Sequence, residues 1–334
     1  MKKDRLFFSN LKLYVVFVLC ISFMVVGAPA SAAPKVLKAV GYRVMDNTQL
    51  SMVAYKIFID KFNERAKGEF KIDYLGGPEV IPPGEQMSAL SKGVVQLLVT
   101  PGYHTSIVPE VDAILLSDIT SLQQREVGFN DVMAEIHKKR LGVLPLGRVD
   151  HGVPFHLFTN VKVQKLDDFA GLKFRSNANY DPFFKELGIV SVAMPMGDIY
   201  TALQRGLVVG FPLPIFVSKL RLQEVTKYVV DHGWWSGGAV YLYINLKTWD
   251  NLPENIRNMM TEVAMEMESE AISIAEKFVS EERKRLADAG MEFIKLTPPD
   301  GERLIQIAND VKWEQIIKKS PEYGPKMRAM ISKK

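Results

Sequence analysis

Residues 171–206 read GLKFRSNANYDPFFKELGIVSVAMPMGDIYTALQRG. Leu172 to Arg175 is a short apolar strand that ends on a cation. A helix follows around Pro182 to Leu187, then a strand over Val190 to Met194 and a helix from Gly197 to Arg205. Leu207 to Phe211 adds another strand. Strands alternating with short helices indicate a parallel or mixed sheet with helices on its faces. Arg175 closes an apolar strand and opens a polar loop before a helix, and in open α/β sheets ligands collect at the carboxyl ends of strands. A guanidinium there holds a carboxylate through two parallel hydrogen bonds. A surface salt bridge is the commoner fate of such a residue.

Working outward, the unit begins with a strand over Phe155 to Thr159 and occupies about residues 155–241. An earlier unit has the same grammar. Lys35 to Tyr42 and Phe70 to Tyr74 are strands, and Val94 to Thr100 is a buried one. Leu50, Val53, Ala54, Ile57, Phe58 and Phe62 give Asn47 to Ala66 a helical period that Gly68 ends. After the breaks at Gly76-Gly77-Pro78 and Pro82-Pro83-Gly84, Glu85 to Lys92 is a short helix. Tyr241 to Asn245 reads as a strand returning to this first unit. Pro253 to Ala289 is the longest helical pattern, bounded by Pro253 and Gly290. At 1.5 Å per residue it is ~55 Å long, enough to brace both units. Met291 to Leu296 is a last strand and 299–332 is helical. There is no internal repeat.

The chain has 334 residues, 47% of them apolar and 24% charged, which is ordinary globular composition. A single core stops growing near ~250–300 residues, so two domains are expected. Four bases (Lys2, Lys3, Arg5 and Lys12) and one acid, Asp4, fall in the first 32 residues, which leaves the rest nearly neutral. A neutral body gives no footing for nucleic-acid binding. The basic start, the apolar run from Leu13 to Val26 and Ala30-Ser31-Ala32 form an export signal with cleavage after Ala32. The run is shorter than the ~20 residues of a spanning helix. The single cysteine, Cys20, lies inside that signal behind Leu19 and fits no lipid-attachment site. The mature chain is then cysteine-free, with no disulfide, thiolate metal site or thiol nucleophile, and the expected product is soluble and extracytoplasmic.

Catalytic and cofactor motifs are absent: no H-E-x-x-H, G-x-S-x-G, Walker A or G-x-G-x-x-G occurs. His104, His137, His151, His156 and His232 lack metal-ligand spacing. Asp167-Asp168 suits a helix start better than acid–base work. Neither an enzyme, a metal site nor a cofactor is expected.

Gly171-Leu172-Lys173-Phe174-Arg175, Leu187-Gly188 and Pro195-Met196-Gly197-Asp198-Ile199-Tyr200-Thr201-Ala202-Leu203-Gln204-Arg205-Gly206 together resemble the signature of the solute-binding proteins of tripartite ATP-independent periplasmic (TRAP) transporters. Tyr74 to Val80 and Glu85 to Gly93 are similar to that family's first-domain loop and helix. Thr159-Asn160 with Leu166 to Phe169 is similar to the lead-in to its arginine strand. The order and spacing of these segments cover almost all of the mature chain. The resemblance implies an α/β, two-domain periplasmic binding protein fold with hinge-crossing strands and a long helix spanning both domains. On that pattern 1–32 is the signal peptide, 33–154 plus about 242–275 domain I, and 155–241 plus about 290–334 domain II, bridged by helix 253–289. It also implies a monomer that delivers a small organic acid to a membrane permease, with Arg175 on the ligand carboxylate.

The family's acidic-Gly-x-Glu-Asn-Pro run is here Val208-Val209-Gly210-Phe211-Pro212-Leu213-Pro214, and the place of a second arginine falls on Phe155-His156. Unpaired polar ligand groups cost ~1–3 kcal/mol each, which disfavours a polyhydroxylated acid or a dicarboxylate. Phe211, Trp234 and Trp235 suit instead an apolar wall for a hydrophobic or aromatic monocarboxylate, such as an aryl, indolyl or branched keto acid. Of two adjacent tryptophans at least one is expected to face away from a ligand. Glu79, Tyr103 and His104 occupy loops that face the cleft in the family, and Asn177, Met196 and His156 neighbour the signature positions. The competing readings are a C4-dicarboxylate binder, a ligand-sensing partner of a receptor kinase and, with least support, a periplasmic enzyme.

Overall fold

The computed structural model describes residues 33–332 apart from 47, 48 and 151. The expected export signal, with Cys20, and His151 lie outside those residues. The first half runs β1 (Lys35–Gly41), α1 (Leu50–Arg65), β2 (Phe70–Gly76), α2 (Pro83–Ser91) and β3 (Leu97–Thr100), then a 3-10 segment (Pro109–Leu116), α3 (Ser121–Glu126), α4 (Phe129–Leu141) and β4 (Val143–Arg148). The second half runs β5 (Pro154–Thr159), β6 (Lys173–Ser176), α5 (Asp181–Glu186), β7 (Val190–Ala193), α6 (Ile199–Gln204), β8 (Gly210–Pro214) and β9 (Tyr228–Ser236). The chain then gives β10 (Tyr241–Asn245), α7 (Leu246–Asp250), α8 (Glu254–Asp288), β11 (Glu292–Ile294), α9 (Asp300–Lys319) and α10 (Gly324–Ile331).

Two mixed sheets result. The first has the order β2-β1-β3-β10-β4, and the second β11-β9-β5-β8-β6-β7. In the first, β1 pairs in parallel with β2 and β3, whereas β10 lies antiparallel between β3 and β4. As the sequence led one to expect, β10 returns from the second half to the first. Every residue of β3 and of β10 is buried. That suits strands covered on both faces, whose sequences show no polar alternation.

Helix α1 buries Met52, Tyr55, Phe58, Ile59 and Phe62 at three- and four-residue spacing, against Met260, Val263 and Met267 of α8. Lys61 and Arg65 seal the rim of that contact by pairing with Glu266 at 2.8 and 2.7 Å. Helix α8 has 35 residues. Its first half belongs to the core of the first sheet, and Leu286 near its end joins the core around β8. Two buried glutamates fasten it. Glu268 accepts from Arg125 Nε at 2.6 Å and from the Arg148 amide at 2.8 Å, at the end of β4. Glu282 accepts from the Ser218 amide and hydroxyl, both at 2.8 Å, just beyond β8.

The chain crosses between the sheets at 149–153 and 237–240, where the Val149 amide donates to the Val240 carbonyl at 3.0 Å. Arg148, fully buried, donates to Asp150 at 3.2 Å and to the Ser236 carbonyl, and Asp150 accepts from the Gly238 amide. Gly237 has φ +107°, and a Cβ there would overlap the Asp150 carbonyl oxygen. Only glycine fits this crossing. Helix α9 packs on β9 and on the 3-10 segment 109–116, so the C-terminal helices touch both halves.

Candidate functional site

The two halves face each other across a cleft. Its opening of about 170 Å³ is lined by Tyr103, Asp112 and Leu115 from the first half and Phe155, Tyr180 and Trp235 from the second. The aromatic groups form a continuous wall. The Tyr180 and Trp235 rings stack at 6.0 Å, and Phe155 meets Trp235 edge-on at 5.8 Å. Aromatic pairs in such offset geometry hold a preformed apolar surface.

Arg175, the next-to-last residue of β6, adjoins this wall through Tyr180. It is buried, its Nε donates to the Met194 carbonyl at 3.1 Å, and its guanidinium touches the Tyr180 hydroxyl. Among the described residues no carboxylate forms an ion pair with it. Burial therefore lowers its pKa, and Tyr180 works against that shift. A desolvated cation lacking an anion is the arrangement that gains most from a carboxylate. Asn177 completes the group, hydrogen-bonded to the Tyr180 side chain and accepting from the Asn179 amide at 2.9 Å.

Trp234 and Trp235 do not point to opposite sides, contrary to the expectation for neighbours on a strand. The pairing of β5 with β9 is irregular between Pro154 and Leu157, and Trp235 has φ +51°. This bulge turns both indoles to one side, with ring centroids 4.7 Å apart. Trp235 lines the cleft. Trp234 is packed among Phe155, Tyr180 and Phe183, and both indoles line an adjoining cavity of about 200 Å³.

Other expected residues lie elsewhere. Phe211 is not on the cleft wall. It stacks on Phe158 at 4.9 Å within the core formed by Ile199, Leu203 and Val229, because β8 is an inner strand of its sheet. His156 is also buried, with Nδ1 3.1 Å from the Val230 carbonyl, so its ring serves the β5–β9 contact. His104 turns from the cleft into the first half, where its Nε2 lies 3.1 Å from His137 Nε2. Tyr103, the preceding residue, is exposed and reaches the cleft. Glu79 is solvated and accepts from the Gly77 amide at 2.6 Å, which holds its carboxyl below the usual range; it closes its own turn. Met196 is exposed on the turn after β7. The structure thus gathers Arg175, Asn177, Tyr103, Trp234 and Trp235, and separates Glu79, His104, His156, Met196 and Phe211 from them.

Two contributors carry no motif. Tyr180 lies five residues after Arg175 in the same loop. Lys312 comes from α9, where its buried ammonium pairs with Asp112 at 2.6 Å and lies 5.5 Å from the Trp235 ring centroid. A lysine four residues after Ala308 and eight after Leu304, on the buried stripe of an amphipathic helix, was the available signal.

Residues 41–319 match the family model described as bacterial extracellular solute-binding protein, family 7. The chain is 25% identical over 307 residues to the C4-dicarboxylate-binding periplasmic protein DctP of Rhodobacter capsulatus, covering 88% of this chain and 87% of that one. It is 22% identical over 263 residues to a monocarboxylate 2-oxoacid-binding periplasmic protein of Nostoc, covering 75% and 70%. Its fold matches that of a TRAP periplasmic solute-binding protein from Rhodobacter sphaeroides with a TM-score of 0.78 at 19% identity, over 89% of this chain and 98% of that one.

Proposed function

As the chain belongs to family 7 of the bacterial extracellular solute-binding proteins, the binding proteins of TRAP transporters, we propose that it captures a small hydrophobic or aromatic monocarboxylate in the periplasm. The observation that carries this reading is Arg175, buried beside an aromatic wall with no acid paired to it among the described residues. The carboxylate binds the guanidinium, and the apolar body of the ligand lies against Phe155, Tyr180 and Trp235. Contacts from both halves favour a closed state, and a TRAP permease receives the ligand from that state. Tyr103 lines the same cleft and Asn177 adjoins it through Tyr180, and both fit polar contacts to the ligand.

A dicarboxylate fits less well, although the Rhodobacter capsulatus relative bears that name. The second cation near the wall, Lys312, is already engaged by Asp112. A 2-oxoacid, the ligand class in the name of the Nostoc relative, needs only one strong anion site and suits this cleft. The work is binding and delivery by a single chain, with no covalent step.

The test is thermal stabilisation of the cysteine-free mature protein by a panel of acids: aromatic monocarboxylates, branched 2-oxoacids, C4-dicarboxylates and sugar acids. A ligand at a hundred times its Kd stabilises by about 2.7 kcal/mol. Stabilisation by a monocarboxylate class, without turnover, supports the reading. No stabilisation by any acid, and no acid released on denaturing the purified protein, overturns it.

A further inference from the structure

Two buried donors beside the cleft have no partner. Trp234 Nε1 and Trp235 Nε1 are both enclosed and make no hydrogen bond among the described residues. Indole N–H groups in protein interiors are almost always paired, so two orphans side by side call for a cause. Trp235 is also strained. Its backbone is left-handed at φ +51°, a conformation that is costly for a bulky residue and persists where the surroundings hold it, typically at ligand clamps. The strain is what brings the two indoles to one side. Trp235 and Leu115 line the cleft on one face and the adjoining cavity of about 200 Å³ on the other.

Resting on the carboxylate reading of the cleft, we infer that these two spaces are one ligand chamber parted by Trp235, and that a ligand which turns Trp235 aside uncovers the enclosed Trp234 and Trp235 N–H groups for its own neutral oxygen acceptor at the far end. The ligand is then a monocarboxylate with a keto, amide or hydroxyl oxygen about a ring's width from its carboxylate. Tyr180 sets that width, touching Arg175 on one side and stacking on Trp235 at 6.0 Å on the other. Asn309, on the facing wall, has a side-chain oxygen without a partner, and its amide supplies the complementary contact to a hydroxyl or amide ligand.

The matched pair cyclohexanecarboxylate and 4-oxocyclohexanecarboxylate differs by one ketone oxygen placed across the ring from the acid. Titration calorimetry of wild type should show the keto acid binding at least tenfold tighter. In Trp234→Phe or Trp235→Phe, which keep an aromatic ring and remove the N–H, that ratio should fall to within twofold. The same two variants assign the indole signals in a proton–nitrogen correlation spectrum of wild type. Binding of 4-oxocyclohexanecarboxylate should move the Trp234 or Trp235 N–H signal downfield. Equal affinity for the pair, a tenfold ratio kept in both variants, or bound keto acid that leaves both indole signals in place overturns the inference while leaving the cleft reading intact. If no acid binds at all, the cleft reading fails and this inference fails with it.

Discussion

Glu268 and Glu282 lie four helical turns apart on α8, roughly 21 Å along its axis, and each anchors the helix to a different half of the molecule. Glu268 holds the end of β4 and Glu282 holds the segment after β8. The helix is therefore fixed at two points and not merely laid across both halves. Burial raises the Glu268 pKa, and Arg125 opposes that shift.

Glu268→Gln should destabilise the unliganded protein by about 2–3 kcal/mol, because Arg125 and the Arg148 amide lose a charged acceptor inside the core. Denaturant titration reads this directly. Glu282→Gln should act in the same direction, and the two losses should add, since the sites are far apart. Wild-type stability in Glu268→Gln would show that the anchor does not hold the helix.

Arg175→Met should separate binding from stability. The variant loses the ligand carboxylate's partner, and acid affinity should fall at least a hundredfold. The unliganded fold should be unchanged or more stable by about 1 kcal/mol, because a desolvated cation without an anion is replaced by an apolar chain of similar length. Arg175 is buried and not in the surface salt bridge that is the commoner fate of such a residue, and burial is what sets the sign. Calorimetric scans with and without ligand check both parts.

The paired histidines should make the first half acid-sensitive. Burial and the neighbouring His137 hold the His104 pKa down to about 3, and burial holds His137 down to about 4. An unfolded chain takes up protons on both rings below about 6.5, whereas the folded one does not. Stability should therefore be intact above pH 6.5 and fall as the pH drops toward 4. His104→Gln should reduce that slope by about 1 kcal/mol per pH unit between pH 6 and pH 5, measured by urea unfolding. An unchanged slope would exclude His104 as a source of acid sensitivity.

Gly237→Ala should cost about 2–4 kcal/mol. The added methyl group meets the Asp150 carbonyl, and the left-handed backbone adds strain. Because both crossings meet here, ligand-induced compaction in solution scattering should shrink along with Tm. A variant with wild-type Tm and compaction would mean that the crossing tolerates a side chain.

Much of this architecture is legible in the residues. Proline and glycine bracket α8, the 171–206 stretch spells out its strand–helix alternation, and the apolar run at 241–245 has the length of a strand. The cleft is less legible. Trp235 joins Trp234 on one side because of a bulge, which shifts the two-residue period of a strand and leaves no mark in composition. Phe211 looks like a wall residue until the sheet order places β8 between β5 and β6. Lys312 meets Asp112 and Trp235 from a helix distant from both in sequence, through contacts that no local pattern encodes.

The position of β10 between β3 and β4 has a consequence for how the chain acquires its shape. β4 has no partner in its sheet except β10, and β10 follows all but one strand of the other sheet. A growing polypeptide that has reached residue 236 therefore offers β4 nothing to pair with. The first half is interrupted until the second has been synthesised, and such long-range pairing makes folding slow. Parallel pairing of β1 with β2 and β3 can come early, but completion of the first sheet waits for residues 241–245.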